Sequence, residues 1–158
     1  MRIQEFMTTD PRWCLVTDSA SKAARIMKDI NAGIVPVVEN AESRRLVGVV
    51  TDRDLCLEMI AESRDPSTVP VKDCMTSILV CCIPEDDVEK AIALMQDNQV
   101  RRIPVVDQQG ILLGIVAMAD LVHRAHVPPL EVYETIKKVS EPSPIPSKPR
   151  ARQMRKSA

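Results

Sequence analysis

Four consecutive residues, Thr51-Asp52-Arg53-Asp54, place a hydroxyl, two carboxylates and a guanidinium at the predicted start of a helix. The first turn of a helix offers free backbone N–H groups and the positive end of the helix dipole, which suit a phosphate. The Asp54 carboxylate can accept hydrogen bonds from both hydroxyls of a ribose. Thr51 can bind a phosphate or ribose oxygen, and Arg53 can add positive charge. The chemistry indicated is nucleotide binding.

The same residues also fit a structural role. Thr-x-x-Asp at a helix start resembles a capping box, in which Thr51 accepts a backbone N–H and Asp54 reaches back to the N-cap. The roles compete in part, because a Thr51 side chain held in the cap is less available to phosphate. These four residues alone favour the cap, whereas their repeat context favours the ligand.

The segment that carries them occurs twice. Residues 3–55 and 71–121 align along their whole length, with Met7-Thr8 matching Met75-Thr76. A repeat of this length indicates two copies of one supersecondary unit. Since each copy is near the lower size limit for a stable core, we expect the copies to pack together with pseudo-twofold symmetry.

The spacing of apolar residues in each copy predicts helices and strands. The helical stripes expected to face the core are Ala23, Met27 and Ile30, and Val88, Ala91, Ile92 and Met95. Asp18 or Ser19 is the expected N-cap of the first helix, and Asp86 with Glu89 resembles a capping box at the second. The predicted strands are residues 13–15, 34–38 and 46–50, and residues 81–83, 102–106 and 112–116. Pro36 and Pro104 predict an edge strand, or one whose N–H side is unpaired there.

Composition excludes several classes of protein. The chain has 158 residues, 45% of them hydrophobic, and a net charge of −1, which gives no field for nucleic acid. It has no apolar run near the roughly 18 residues of a spanning helix and no apolar signal core at its start, so we expect a cytoplasmic protein. Without C-x-x-C spacing, the five cysteines are expected to be reduced and mostly buried, with redox sensing by Cys81-Cys82 as the alternative.

The remaining segments predict little chemistry. Residues 62–70 are the expected linker, residues 127–139 a short helix with Leu130, Tyr133, Ile136 and Lys137 on one side, and residues 140–158 a disordered basic tail. His123 and His126 could share a helix face. They lack a nearby cysteine or carboxylate to complete a ligand set, so we expect no metal.

The repeated motifs resemble the CBS (cystathionine-β-synthase) domain, and the pair resembles a Bateman module of the stand-alone bacterial type. The motifs are Ile3-x-x-x-Met7-Thr8, Val35-Pro36-Val37-Val38 and Gly48 to Leu55, then Val71-x-x-x-Met75-Thr76, Ile103-Pro104-Val105-Val106 and Gly114 to Leu121. The resemblance implies an α/β (α+β) fold of two β-α-β-β-α repeats, residues 1–61 and 71–126. It also implies a homodimeric regulator that binds an adenine nucleotide (AMP, ADP, ATP or NAD) in the cleft between repeats.

The resemblance carries a Gly-x-x-Thr-x-x-Asp nucleotide motif onto the first copy, with ribose on Asp54 and phosphate on Thr51. Candidates for an apolar adenine slot, which could equally be plain core, are Ile34, Val35, Pro36 and the segment Cys81-Cys82-Ile83.

The second copy keeps Asp120 but has Ala117 in place of the hydroxyl. Ribose could still bind there, while the phosphate contact would need a guanidinium from Arg101 or Arg102. The alternative for these arginines is a solvated basic pair. We therefore expect one better site and one weaker or differently tuned site.

The sequence motifs bear on three candidate functions. The first is a nucleotide sensor that signals to an unidentified partner protein, and the second is a constitutive interaction module whose site has decayed, as Ala117 suggests. The third, a hydrolase built on Asp52 and Asp54, is disfavoured because the chain has no P-loop, no G-x-G-x-x-G, no zinc set and no Ser-His-Asp group.

Overall fold

The computed structural model describes residues 1–77 and 79–142, and it gives each repeat a small sheet with helices over one face. The elements are β1 (Thr8–Thr9), β2 (Cys14–Leu15), α1 (Ala20–Ile30), β3 (Ile34–Val38), β4 (Leu46–Thr51), α2 (Asp52–Leu55), α3 (Val88–Asn98), β5 (Arg102–Val106), β6 (Leu112–Ala117), α4 (Met118–His123) and α5 (Pro129–Val139). A π-helical turn, Cys56–Ile60, continues α2. No helix within these residues is long and apolar enough to span a bilayer.

The first sheet has the order β2-β3-β4, with β2 parallel and β4 antiparallel to β3. The strand that contains Pro36 is therefore central rather than an edge, and the second alternative, a strand whose N–H side is unpaired at the proline, applies. The sheet tolerates the proline because β2 is short and begins opposite Val37, so no neighbouring carbonyl needs the missing N–H.

The second sheet has the order β1-β6-β5, and both of its pairings are antiparallel. On the far side of β5, Cys82 makes a single parallel bridge to Val105 in place of the predicted strand 81–83. Its N–H donates to the Pro104 carbonyl at 3.1 Å.

The helical stripes form the cores as predicted, with one exception, in the first copy. Ala23 and Met27 are buried, but Ile30 is exposed and Ile26 takes its place. Helix α1 begins at the Ser19 N-cap, whose side chain accepts the N–H of Lys22.

All four stripe residues of α3 are buried, but its expected capping box is wrong. Asp87 is the N-cap, and Asp86 instead accepts bonds from the N–H of Ile83 and from Lys90 Nζ, both at 2.9 Å.

The segment that opens each repeat, residues 3–9 or 71–77, is called its lead-in. Each lead-in folds onto the sheet of the other repeat. Thr8 pairs with Ile115 in β6, and Thr76 bridges Val49 in β4. The described chain accordingly divides into two compact units, one made of Met1–Pro11 with residues 80–142 and the other of Arg12–Leu79. Exchange of the lead-ins makes each sheet depend on both sequence copies.

The expected linker, residues 62–70, packs against the start of α1. The carbonyl of Val69 accepts the N–H of Ala20 at 2.9 Å, and the Val69 side chain joins the core beneath α1. At the other end of the chain, α5 buries Thr135 and Val139. Most of the predicted basic tail, residues 143–158, lies outside the described residues.

Candidate functional site

Thr51 and Asp54 form a reciprocal cap at the start of α2. The Thr51 Oγ1 accepts the N–H of Asp54, and Asp54 Oδ2 accepts the N–H of Thr51, both at 3.1 Å. The structural role that the sequence allowed is thus present. The cap does not use all the hydrogen-bonding capacity of the Thr51 hydroxyl. Its Oγ1 acts as the acceptor in the cap, and its O–H can still donate to a phosphate or ribose oxygen.

Asp52 and Arg53 lie on the exposed side of the same turn. The N–H of Asp52 donates to the carbonyl of Gly33 at 3.0 Å, and its Oδ1 accepts the N–H of Arg53 at 2.7 Å. The Arg53 guanidinium makes no hydrogen bond or ion pair with any described residue. It can therefore turn toward an anion at the helix start.

The sheet beside this turn offers an apolar face. Thr51 is the cross-strand partner of Ile34, and Pro36 is the partner of Val49. Because side chains alternate along a strand, these four share the face opposite the core side, where Val35, Val37 and Val50 are fully buried. Of the predicted slot residues, half-buried Ile34 and buried Pro36 lie on the Thr51 face, and Val35 lies in the core.

The corresponding aspartate of the second repeat is held differently. Asp120 Oδ2 accepts the N–H of Ala117 at 2.8 Å, and Ala117 has no side-chain acceptor for the return bond. Asp120 Oδ1 lies 3.5 Å from the guanidinium of Arg124, which also donates to the Phe6 carbonyl and to Thr8 Oγ1. Half of the cap is missing, and a salt bridge occupies the second carboxylate oxygen.

Arg124 was missed by the sequence reasoning, although its spacing is a recognisable signal. Arginine four residues after Asp120 predicts a helical ion pair. The matching residue of the first repeat is Glu58, which is buried and bridged to Arg64 at 3.2 Å. One helical turn after the aspartate, the first repeat therefore has the acidic Glu58 and the second repeat has the basic Arg124.

The pairing register of β5 with β6 gives the two predicted arginines, Arg101 and Arg102, different surroundings. Arg102 is the cross-strand partner of Ala117, and Pro104 is the partner of Ile115, so these four share one sheet face. Arg102 is half-buried, and its guanidinium forms no hydrogen bond or ion pair with the described part of the chain. Arg101 is exposed, and its guanidinium lies 3.5 Å from Ser140 Oγ. Arg102, whose guanidinium has no partner among the described residues, thus lies opposite Ala117, the position that lacks the hydroxyl.

Three of the five cysteines, Cys14, Cys74 and Cys82, lie in the cores rather than on these faces, whereas Cys56 is exposed. Cys82 is fully buried, and burial raises the pKa of its thiol to about 11. Burial also raises the pKa of the half-buried Cys81. Protonated thiols are poor nucleophiles, so nothing here supports redox sensing by this pair.

The two histidines, His123 and His126, are both exposed. Residues 1–77 and 79–142 contain no group of three or more His, Cys, Asp or Glu side chains placed to hold a metal ion.

The sequence model of the CBS domain matches residues 3–61 and 71–127, and the chain belongs to this family. The chain is similar to an uncharacterized protein, YlbB, of Bacillus subtilis. The two are 41% identical over 120 residues, which cover 76% of this chain and 79% of that protein. The α+β fold of two CBS repeats predicted from the sequence is confirmed.

The solved structures similar to the chain include the following two. One is Hypoxic Response Protein I with two coordinated zinc ions, with a TM-score of 0.71 and 25% identity, covering 81% of this chain and all of that one. The other is CBSX2 in complex with AMP, with a TM-score of 0.67 and 26% identity, covering 79% and 96%. Because this similar protein coordinates zinc, the expected absence of a metal in the present chain stays a prediction.

Proposed function

We propose that this chain is a non-catalytic regulatory module that binds an adenine nucleotide, one of AMP, ADP, ATP or NAD, and signals to a partner protein. The observation that carries the proposal is the Thr51–Asp54 turn beside the apolar face of Ile34 and Pro36. The AMP complex of the similar CBSX2 supports the ligand class.

In the first repeat, Asp54 takes the ribose hydroxyls, and the Thr51 O–H donates to a phosphate oxygen. The guanidinium of the exposed Arg53 adds charge, and the half-buried Ile34 packs against the base. Adenine is largely apolar on its faces, so an apolar strand surface beside polar helix-start groups suits the whole ligand.

In the second repeat, Asp120 takes the ribose and Arg102 takes the phosphate. A guanidinium is a stronger phosphate partner than a hydroxyl, since its bond is charge-assisted. Arg124 already occupies one oxygen of Asp120, so ribose must share that carboxylate or displace the arginine. This site therefore depends more on phosphate charge and less on ribose than the first.

The remaining parts of the proposal follow from the absence of catalytic motifs in the sequence and from the family resemblance. The module acts in the cytoplasm as a homodimer, needs no metal and passes its signal to a separate protein.

The test is isothermal titration of the purified, nucleotide-stripped protein with AMP, ATP and NAD. Asp54→Asn keeps a side-chain oxygen for the cap but removes the charge that accepts ribose hydroxyls, and Asp120→Asn does the same in the second repeat. We expect two unequal sites in the parent, loss of the first site in Asp54→Asn, and a smaller weakening of the second site in Asp120→Asn. Asp97→Asn, at an exposed position of α3, is the matched control and keeps both sites.

The alternative is a constitutive interaction module, which the missing hydroxyl at Ala117 favours for one repeat. Saturating ligand at a hundredfold excess over its dissociation constant stabilises a protein by about 2.7 kcal/mol. The absence of a thermal shift with every adenine nucleotide would select this alternative.

A further inference from the structure

One nitrogen of the Arg124 guanidinium joins the second candidate site to the lead-in of the first repeat. Arg124 Nη1 lies 3.5 Å from Asp120 Oδ1, and it donates to the Phe6 carbonyl at 3.3 Å and to Thr8 Oγ1 at 3.4 Å. A single nitrogen therefore serves three acceptors, and it cannot leave one of them without changing its bonds to the other two. Asp120 and the lead-in are connected through this side chain.

The bond to Asp120 is the strongest of the three. Asp120 is only 8% exposed, and a bond between a guanidinium and a carboxylate is charge-assisted, unlike those to a carbonyl or a hydroxyl. The Arg124 side chain is 52% exposed, so water can solvate the guanidinium once the carboxylate releases it. Release also returns rotamer freedom to a long side chain. Loss of the carboxylate partner should therefore break the two bonds to the lead-in as well.

The lead-in is held unequally along its length. Ile3 and Phe6 lie in the hydrophobic core and anchor its start. Thr8 and Thr9 are exposed and form the two-residue strand β1. Beyond them, the N–H of Asp10 donates to a carbonyl of β6 at 3.2 Å. Release of Arg124 should therefore loosen residues 8–10 and leave the buried start in place.

The first repeat lacks this connection. At the position that matches Arg124 it has Glu58, a carboxylate, which cannot form an ion pair with the carboxylate of Asp54. Glu58 is instead bridged to Arg64 at 3.2 Å. The lead-in of the second repeat, residues 71–77, is therefore an internal reference for changes at residues 8–10.

We propose that Arg124 competes with the ligand for Asp120, and that a ligand bound at the second site loosens the end of the first lead-in. The ribose hydroxyls of an adenine nucleoside or nucleotide take Asp120 Oδ1, the guanidinium leaves, and the Phe6 carbonyl and Thr8 Oγ1 lose their donor. This inference rests on the proposed binding of ribose at Asp120. It adds the role of Arg124, which converts occupancy of that site into a change at β1. Because such coupling is reciprocal, the seated lead-in weakens the ligand by the factor by which the ligand weakens the seating.

Adenosine is the probe for the competition, because it has the ribose and lacks a phosphate that a guanidinium would attract. All proteins for the titrations carry Asp54→Asn, which is expected to remove the first site. In this background, Arg124→Met should bind adenosine about two- to fivefold more tightly, the range for a partly exposed ion pair. Arg25→Met, at an exposed arginine of α1, is the matched control and should leave the affinity unchanged.

Hydrogen exchange measures the other half of the coupling. Saturating adenosine should speed exchange of the amides of residues 8–10 about two- to fivefold in the background protein and in Arg25→Met. The amides of residues 71–77 should not change. In Arg124→Met, residues 8–10 should exchange faster even without adenosine, and adenosine should have no further effect. An arginine with a purely structural role would speed exchange when replaced, but its loss would not tighten adenosine binding.

The outcomes separate this inference from the function on which it rests. If adenosine binds the background protein and leaves exchange at residues 8–10 unchanged, the role of Arg124 is overturned and the proposed function stands. The same holds if Arg124→Met binds adenosine no more tightly than Arg25→Met. If none of these proteins gives heat with adenosine, ribose binding at Asp120 is overturned, and the inference falls with it.

Discussion

Arg102 lies directly opposite Ala117 across β5 and β6, at the positions where β3 and β4 place Ile34 opposite Thr51. The two repeats thus use the same pair of positions in opposite ways. The first combines an apolar residue with a hydroxyl, and the second combines a cation with a methyl group. This difference predicts two sites that respond unequally to the charge of a ligand.

Replacing Arg102 by alanine should weaken the second site for AMP by about ten- to hundredfold, the usual range for a charge-assisted hydrogen bond. Adenosine, which lacks the phosphate, should bind nearly as well as before. Titration calorimetry with both ligands measures the difference. Arg101→Ala is the matched control, since Arg101 is exposed and lies near Ser140. Equal effects of the two substitutions would remove Arg102 from the phosphate role.

Replacing Thr51 by alanine should cost both stability and affinity. Loss of the acceptor for the Asp54 N–H should lower the free energy of unfolding by about 1 kcal/mol and the melting temperature by about 2–4 °C. Affinity of the first site for AMP should fall about tenfold, because the hydroxyl no longer donates to phosphate. Thermal melts and calorimetry report the two effects separately.

Two further variants separate the cap from the ligand. Thr51→Ser keeps the hydroxyl and should preserve both properties. Ala117→Thr supplies the missing cap in the second repeat, and it should raise stability by about 1 kcal/mol and tighten AMP binding there. If Thr51→Ala lowers stability but leaves every affinity unchanged, Thr51 is a cap alone.

Replacing Gly114 by alanine should destabilise the fold by about 1–3 kcal/mol, as overpacked positions do. The added Cβ would lie 2.8 Å from both Met7 Sδ and the carbonyl oxygen of Thr8 in the exchanged lead-in. Denaturant unfolding measures the change. In the control Gly33→Ala, the nearest atoms all belong to the exposed Asp52 carboxylate, which can rotate away, so the change should stay within about 0.5 kcal/mol. Similar losses in both variants would contradict the packing of the lead-in.

Alkylation of the native protein at pH 8 should label Cys56 first. Cys56 is exposed, whereas Cys14 is fully buried and burial raises the pKa of its thiol from 9.0 to about 12. The thiolate that reacts is then about one part in ten thousand at Cys14. Mass spectrometry of iodoacetamide-treated protein identifies the order. Labelling of Cys14 ahead of Cys56 in the folded protein would contradict it.

The same pKa shifts set a pH dependence. Because Cys14, Cys74 and Cys82 hold their protons more tightly when folded, their contribution to stability is complete below pH 9 and falls as the pH rises from 9 toward 12. Equilibrium unfolding across this range should show a decline.

The sequence reasoning succeeded where the signal is local. The α3 stripe was readable because helical side chains repeat every three to four residues, and the Ser19 cap and the Thr51–Asp54 box lie within one turn. The same reasoning failed for Ile30 and for the Asp86–Glu89 box. Both sit at a helix end, where the neighbouring backbone, rather than spacing, decides which side chain is buried or bonded.

Repetition, the four longer strands (β3, β4, β5 and β6) and the reciprocal cap of the Thr51 turn could therefore be inferred from residue order alone. The tertiary structure was needed for the central position of β3, for the docking of each lead-in on the sheet of the other repeat, and for the position of Arg102 opposite Ala117. These features rest on backbone hydrogen bonds between residues far apart in the chain, and on a pairing register in which a shift of one residue turns every side chain to the opposite face.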